Sequence, residues 1–167
     1  MVRPIRRWLL VASSIILLGA GGLPAGKQAR QSARDVPVRR VIDGDTIELT
    51  DGRLIRYIGI DTPESRRRED GRWIEDPEPF AVAATEANQA LVAGRAVRLE
   101  YYVQRLDRYG RTLAYVYVGE QMVNEALVAQ GYATVMTIPP NVRYAARFKD
   151  AARNARREGL GLWREKR

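Results

Sequence analysis

The sequence predicts an α+β fold, a five-stranded β-barrel of the OB-fold type with about three α-helices. Three observations support this prediction. Segments rich in β-branched residues follow one another at short spacing, an alanine-rich segment of helical periodicity interrupts them, and two more helical segments follow the last strand. Five strands in so short an open sheet would leave exposed edges, and closure into a barrel removes those edges.

The first three strands are predicted over residues 38–42, 46–49 and 54–60, where the chain is apolar and β-branched. Asp51-Gly52 lies between the second and third segments, and this dipeptide is typical of a tight hairpin turn. Three strands, the last two joined as a hairpin, therefore precede the first helix.

The rest of the domain is predicted to contain one helix, two strands and two helices, which gives the order β-β-β-α-β-β-α-α. The segments are a helix over 80–93, strands over 96–103 and 112–118, and helices over 122–130 and 142–157. A glycine follows each helix, as is common at helix C-termini: Gly94, Gly131 and Gly159.

The N-terminus is predicted to direct export. Three arginines and no acid lie within residues 1–7, and residues 8–23 are mostly apolar. We therefore assign 1–25 as a signal peptide or N-terminal anchor, 26–36 as a polar linker, and 37–166 as one folded domain. Cleavage would give a secreted or periplasmic, cell-envelope protein. Without cleavage, residues 8–23 would anchor it to the membrane; the alternative to export is a helix buried in the core.

The charge of the chain favours polyanionic partners such as nucleic acid or an anionic membrane. The 167 residues include 28 basic and 20 acidic ones, a net charge of +8. Removing residues 1–25 takes away three arginines and leaves 25 basic residues against 20 acidic ones, a net charge of +5. Such attraction is screened by salt and does not by itself define a function.

Two absences restrict the chemistry. The chain has no histidine, which excludes a Ser-His-Asp triad and a histidine-ligated zinc site. It has no cysteine, which excludes disulfides and thiolate metal sites. A general base must therefore be a carboxylate, lysine or tyrosine, and a bound metal must be a hard cation with oxygen ligands.

Two charged residues are predicted to point inward from the first hairpin. By alternation along the strands, Asp45 shares a face with Ile47 and Leu49, and Arg56 shares one with Ile58 and its apolar neighbours. Buried charges need partners, which may be each other, a metal or a phosphate. One alternative is a purely structural Asp45–Arg56 ion pair.

A second acidic group follows the third strand as Asp61-Thr62-Pro63-Glu64. Pro63 restricts the backbone and holds Glu64 just beyond Asp61. We expect three carboxylates to converge at the ends of neighbouring strands. Asp61 and Thr62 could instead only cap a turn, but a turn does not explain the inward Asp45.

Four groups of residues in this order resemble the staphylococcal nuclease (thermonuclease) family over residues 38–163. Each motif is modest alone, and their order and spacing make the resemblance specific. The motifs are Val41-Ile42-Asp43-Gly44-Asp45-Thr46, then Arg56 with Ile60-Asp61-Thr62-Pro63-Glu64, then Asp107-Arg108-Tyr109-Gly110-Arg111-Thr112-Leu113-Ala114-Tyr115, and finally Val123-Asn124-Glu125-Ala126-Leu127-Val128 with Gly161-Leu162-Trp163.

The resemblance implies an OB-fold nuclease that cuts DNA and RNA, with single strands favoured, as a monomer without an obligate protein partner. It implies a calcium ion held by Asp45, Asp61 and the Thr62 carbonyl. Calcium suits an oxygen-only ligand set. By the same resemblance Glu64 activates a water for attack on the phosphodiester. The alternative is a non-catalytic OB-fold module that binds nucleic acid, and a basic adaptor protein is a third hypothesis.

The resemblance also assigns the remaining site residues. Arg56 and Arg111 would hold the phosphate oxygens, as planar guanidinium groups do well. Asp43 is expected behind the metal ligands, and Arg108 and Tyr109 are expected to contact a neighbouring phosphate. For Arg108, ordinary surface charge is an alternative.

Two segments depart from the family. Residues 133–140 contain no aromatic residue where the family commonly stacks a base, and such stacking is worth about 1–3 kcal/mol per base. We therefore expect weaker substrate binding or a changed base preference. The predicted loop 65–79 contains the charged run 66–70, which is either solvated surface or a phosphate contact. Trp73 in that loop is either a stacking residue or an exposed or core-packed tryptophan.

Overall fold

The computed structural model describes residues 35–64, 66–75 and 78–164. The predicted signal segment and nearly all of the predicted linker lie outside these residues, so both stay predictions. Within the described ranges, no helix combines the length and the apolar character needed to cross a membrane.

The domain contains ten strands, three α-helices and a short 3₁₀-helix within the described residues. The strands are β1 Val36–Val41, β2 Thr46–Leu49, β3 Leu54–Tyr57, β4 Ile60–Asp61, β5 Arg66–Glu69, β6 Arg72–Glu75, β7 Ala96–Glu100, β8 Thr112–Val118, β9 Gln121–Met122 and β10 Thr134–Val135. The helices are α1 Ala81–Val92, α2 Val123–Ala129, α3 Ala145–Arg157 and the 3₁₀-helix Gly161–Trp163.

Five strands close into a barrel in the order β3-β2-β1-β7-β8, with β9 added beside β8. Neighbours in this order pair antiparallel, and the barrel closes through a parallel pairing of β3 with β8. This closure confirms the predicted five-stranded OB-fold barrel with three helices. It also removes the open sheet edge that motivated the prediction.

The barrel interior holds the apolar core. Alternate residues of the strands point into it, including Ile47 and Leu49 of β2 and Ile55 of β3, all fully buried. Asn124 of α2 lies in the same interior. Its side-chain amide donates to the carbonyl oxygen of Ile58 at 2.9 Å, and its side-chain oxygen accepts the amide of Val116 at 2.9 Å. A buried asparagine thus ties α2 to the barrel wall.

The observed elements differ from the predicted ones at several places, including β7, which ends at Glu100 instead of residue 103, and the three segments 54–60, 65–79 and 142–144. The predicted strand 54–60 is interrupted by a turn, because Gly59 has φ +82° and a Cβ there would lie 2.8 Å from the Phe148 ring. The predicted loop 65–79 contains the hairpin β5–β6. The third helix begins at Ala145 instead of residue 142, because the Asn141 side chain bonds both backbone groups of Gln104 and holds the preceding segment in turns.

Candidate active site

Arg56 forms the centre of the site and bridges two carboxylates. Its Nη1 lies 2.6 Å from Oδ2 of Asp45, and its Nη2 lies 2.7 Å from Oδ1 of Asp61. Nη1 also donates to the carbonyl oxygen of Ile60 at 3.1 Å. The arginine side chain is 9% exposed, so these contacts replace most of its hydration.

The predicted orientation of Arg56 was wrong, although its burial was predicted correctly. Ile55 and Tyr57 point into the barrel, so Arg56 lies on the outer face of β3, opposite Thr46 of β2. Leu54, on the same outer face, is 40% exposed. Arg56 is buried because its guanidinium is enclosed by acidic side chains and the chain after β3, and not because it faces the core.

Asp45 is held in the turn between β1 and β2. Its amide donates to Oδ1 of Asp43 at 3.0 Å, and its Oδ2 accepts the amide and the hydroxyl of Thr62 at 3.0 and 3.2 Å. The turn has no room for a side chain at Gly44, where a Cβ would lie 2.6 Å from Oγ1 of Thr62. Glycine therefore lets the acidic turn and the 61–62 segment lie against each other.

The electrostatics of this cluster are dominated by carboxylates. The pKa of Asp45 is raised to about 7, chiefly by burial. Arg56 lowers this pKa, while the nearby carboxylates Asp43 and Asp61 raise it. Burial also raises the pKa of Glu64, again with Asp43 and Asp61, while Arg56 and Arg111 lower it. Near Asp45 and Glu64 the carboxylates therefore outnumber the arginines, and such an excess of negative charge favours a cation.

Asp107 orients Arg111, a role that its place in the sequence motif did not reveal. Oδ2 of Asp107 accepts the Arg111 Nε at 2.7 Å, and its Oδ1 accepts the Arg111 amide at 2.9 Å. Burial works to raise the pKa of Asp107, but the hydrogen bonds from Arg111 and Tyr109 outweigh it and lower the pKa. The bond through Nε leaves the terminal nitrogens of Arg111 available for a phosphate.

Tyr109 and Arg108 lie at the tip of the same loop. The tyrosine is 69% exposed, and the guanidinium of Arg108 lies 4.8 Å from its ring centroid. The guanidinium of Arg111 lies 5.6 Å from the same centroid. An exposed ring flanked by two cations is a surface suited to a nucleotide.

Glu64 is fixed through its backbone by a residue that sequence reasoning missed. Its amide donates to Oε2 of Glu78 at 3.2 Å, and its carbonyl oxygen accepts the amide of Glu78 at 2.9 Å. These two bonds join the ends of the segment that contains β5 and β6. No local sequence pattern indicated this contact, because the two glutamates are separated by a hairpin.

Asn88 of α1 was also missed. It donates to the carbonyl oxygen of Asp43 at 2.9 Å and accepts the hydroxyl of Tyr57 at 2.9 Å, and it is fully buried. The helix thereby supports the acidic turn from behind. A polar residue on the apolar face of a predicted helix was the available signal.

The segment 133–140 presents aliphatic side chains to solvent. Met136 is 37% exposed and Ile138 is 58% exposed, while β10 pairs with β4 beside Asp61. Tyr132, just before this segment, packs against the core. The exposed surface next to the acidic cluster is therefore apolar without a stacking ring in this stretch. The side chain of Trp73 lies outside the described ones, so its role stays a prediction.

The acidic cluster fits a hard divalent cation. Arg56 engages Oδ2 of Asp45 and Oδ1 of Asp61. Oδ1 of Asp45 accepts only the Thr46 hydroxyl, at 3.2 Å, among the described residues, and a carboxylate oxygen has a second lone pair that a metal can use. No bond within the described residues ends on the Thr62 carbonyl oxygen. Within the described part of the chain, no three acidic side chains are arranged so that they could hold a metal ion together. The predicted ligand set does not need three, because it contains two carboxylates and a backbone carbonyl. All three donors are oxygens, as calcium prefers.

The chain is similar in sequence to known nucleases. A family model described as Staphylococcal nuclease homologue matches residues 54–165. The chain is 34% identical to the thermonuclease of Staphylococcus intermedius over 163 residues, covering 93% of this chain and 94% of that protein. It is 34% identical to the thermonuclease of Staphylococcus hyicus over 164 residues, with the same coverage. It is 37% identical to the SPbeta prophage-derived endonuclease YokF of Bacillus subtilis (strain 168) over 134 residues, covering 77% of this chain and 44% of that protein.

The closed barrel and its cluster of acids and arginines, together with these relatives, define the class of the protein as an OB-fold nuclease, a phosphodiesterase. Within that class, the chain belongs to the staphylococcal nuclease family.

Proposed function

We propose that the chain is an exported, calcium-dependent nuclease that hydrolyses phosphodiester bonds of DNA and RNA, with single strands favoured. The observation that carries the proposal is the bridging of Asp45 and Asp61 by a buried Arg56, beside a glutamate whose pKa both site arginines influence. Such an arrangement has the acid, the base and the cationic groups that phosphodiester hydrolysis needs.

Glu64 is the proposed general base. It follows the barrel strands and is exposed, whereas Asp45 is buried, so a water and a phosphate can both reach it. It takes a proton from water as the water oxygen forms a new bond to phosphorus and the ester oxygen leaves. Its raised pKa makes the carboxylate a better proton acceptor than an ordinary glutamate.

Arg56 and Arg111 are proposed to hold the phosphate oxygens as charge develops on them. Each has a fixed orientation before substrate binds, through the two aspartates for Arg56 and through Asp107 for Arg111. Fixed donors stabilise a transition state without a reorganisation cost, and removal of one typically lowers turnover about 100- to 1000-fold.

Asp45, Asp61 and the Thr62 carbonyl are the proposed calcium ligands. When bound, the cation would neutralise charge on the phosphate oxygens. The raised pKa of Asp45 supports the proposal, because a buried carboxylate beside two others is poorly balanced by one arginine. Asp43 would support the ligands through its bond to the Asp45 amide.

We propose a monomeric enzyme, because one chain supplies every group of the site. Export follows from the basic and apolar N-terminal residues. Light scattering would test the monomeric state. Export would be tested by expression in a bacterium followed by cell fractionation, and nuclease found only in the cytoplasm would contradict it.

The decisive experiment measures cleavage of a single-stranded DNA by the full-length chain with calcium, with a chelator, and after Glu64→Gln. We expect calcium-dependent cutting that Glu64→Gln lowers by at least about 100-fold, with little change in binding. Glu120→Gln is the matched control, because Glu120 is exposed in the turn between β8 and β9. Binding without any calcium-dependent cutting would instead support the non-catalytic OB-fold module.

A further inference from the structure

The strand β1 contains a bulge that aims two arginines at one carboxylate. Val38 pairs with Leu49 and Arg40 pairs with Glu48, so Arg39 is an additional residue between the two pairs. A bulge of this kind redirects a side chain that would otherwise point to the other face of the sheet. As a result Arg39 Nη1 lies 2.8 Å and Arg40 Nε lies 2.6 Å from the two oxygens of Glu48.

Glu48 does not neutralise both of its arginine partners, Arg39 and Arg40. The Glu48 side chain is 10% exposed, whereas those of Arg39 and Arg40 are 64% and 66% exposed. The hydrogen bond from Arg40, with further contributions from both guanidiniums, lowers the pKa of Glu48, so the carboxylate stays ionised. One negative charge faces two positive ones. Each guanidinium has five N–H donors and uses one of them on Glu48 among the described residues, and both arginine side chains are mostly exposed.

A surface cavity of about 240 Å³ lies beside these guanidiniums. Its walls combine Arg39 and Arg40 with Gln89, Gly94 and apolar residues of β1 and of the segment just after α1, and they include no carboxylate. The cavity therefore presents two cations and no anion, and it is large enough for a phosphate group.

The arginine pair lies on the same outer face of the barrel as the catalytic Arg56. Glu48 pairs with Leu54 and Thr46 pairs with Arg56, so both rows of side chains point outward from β2 and β3. β1 and β3 flank β2, so the arginine pair and Arg56 are about 10 Å apart across the strands and about 7 Å apart along them, about 12 Å in all. Because a nucleic-acid strand in a duplex carries one charge per about 3.4 Å, this separation corresponds to a few nucleotides.

We propose that Arg39 and Arg40 form a second contact for the phosphate backbone of the nucleic-acid substrate, a few nucleotides from the bond that is cut. The proposal rests on the action of the chain on nucleic acid. Glu48 orders the two guanidiniums in the absence of substrate and limits their affinity for phosphate. The contact adds affinity for longer strands without reading their sequence.

The first test measures binding of single-stranded DNA of about twelve nucleotides in chelator, where no cutting occurs, between about 50 and 200 mM salt. The double variant Arg39→Gln/Arg40→Gln should raise the Kd about tenfold. The slope of log Kd against log salt concentration should fall by about one, the contribution of about one phosphate contact. For a dinucleotide, the increase in Kd caused by the same double variant should be at least about fivefold smaller. Arg153→Gln, which removes an exposed α3 arginine paired with Asp150, should have no such effect.

The second test uses Glu48→Gln, which leaves both arginines in place and removes the competing charge. We expect Kd to fall about threefold and the salt dependence to become steeper. A role in folding alone predicts no gain in affinity. The double arginine variant leaves Glu48 unpaired, so circular dichroism and the single variants Arg39→Gln and Arg40→Gln accompany it.

Two outcomes would overturn the proposal. One is a folded arginine variant that binds long DNA like the Arg153→Gln control. The other is Glu48→Gln that binds no more tightly than the unmodified chain. Neither outcome concerns catalysis, because calcium-dependent cutting by the unmodified protein is measured separately and its absence would refute only the proposed hydrolysis.

Discussion

Replacement of Asp45 by asparagine is expected to stabilise the metal-free protein at alkaline pH while abolishing its nuclease activity. Burial raises the pKa of this carboxyl from 3.8 to about 7. Between these values the folded state binds a proton that the unfolded state has lost. The unmodified protein therefore loses stability as pH rises from about 4 to about 7, and asparagine, which carries no charge, does not.

The magnitude follows from the shift. One pKa unit corresponds to about 1.4 kcal/mol, so the shift of Asp45 corresponds to about 4 kcal/mol above pH 7. Asparagine retains an oxygen that can accept the Thr62 amide, and Arg56 keeps its bond to Asp61. We therefore expect Asp45→Asn to gain about 2–4 kcal/mol near pH 8 and almost nothing near pH 4.

The assay is urea unfolding in chelator at several pH values, with Asp150→Asn as a control because Asp150 is exposed on α3. Addition of calcium should reverse the order, since only the unmodified protein gains stability from a bound cation. A gain independent of pH would show that the raised pKa of Asp45 is not its origin. An Asp45→Asn protein less stable near pH 8 would show that Arg56 fully balances the carboxylate.

Three further predictions concern other residues. Asn124→Ala removes two buried hydrogen bonds and should lower the free energy of unfolding by about 2–4 kcal/mol in urea titrations, whereas a loss below about 1 kcal/mol would contradict the role of this side chain. Asp43→Asn removes a charge that raises the pKa of Glu64, so the acid limb of kcat/KM against pH should move to lower pH; an unmoved limb would exclude Glu64 as the titrating base. Asp107→Asn should lower turnover about tenfold through loss of the charged partner of Arg111, with near-normal thermal unfolding, and unchanged turnover would show that Arg111 needs no anchor.

Regular elements with strong local signals were predicted well. The bounds of β2 and β8 agree with the predicted 46–49 and 112–118, because β-branched residues and flanking turns mark both ends. The hairpin β5–β6 was missed, since its charged sequence lacks the apolar alternation of a half-buried strand. Alternation also failed at Arg56, where enclosure by acidic partners and not the core face decides burial.

Asp45 and the Asp61–Glu64 segment were singled out from sequence because a buried charge needs a partner. Asp45 is buried, but its carboxylate meets Arg56 on the outer face of β3 and not in the core. The anchors Glu78 and Asp107 could not be identified, since they act through contacts that only folding creates. Asn88 gave a weak signal as a polar residue on the apolar face of a predicted helix, but its partners Asp43 and Tyr57 could not be inferred before folding.

By itself the sequence determined the kind of chemistry available to this protein, because the absence of histidine and cysteine excludes imidazole and thiolate groups from the site. It also determined the succession of the five barrel strands and the three α-helices. Only the tertiary structure decided which charges meet. Closure of β3 on β8 and the bulge in β1 set distances of a few ångströms between residues far apart in the chain, and local residue patterns do not contain such distances.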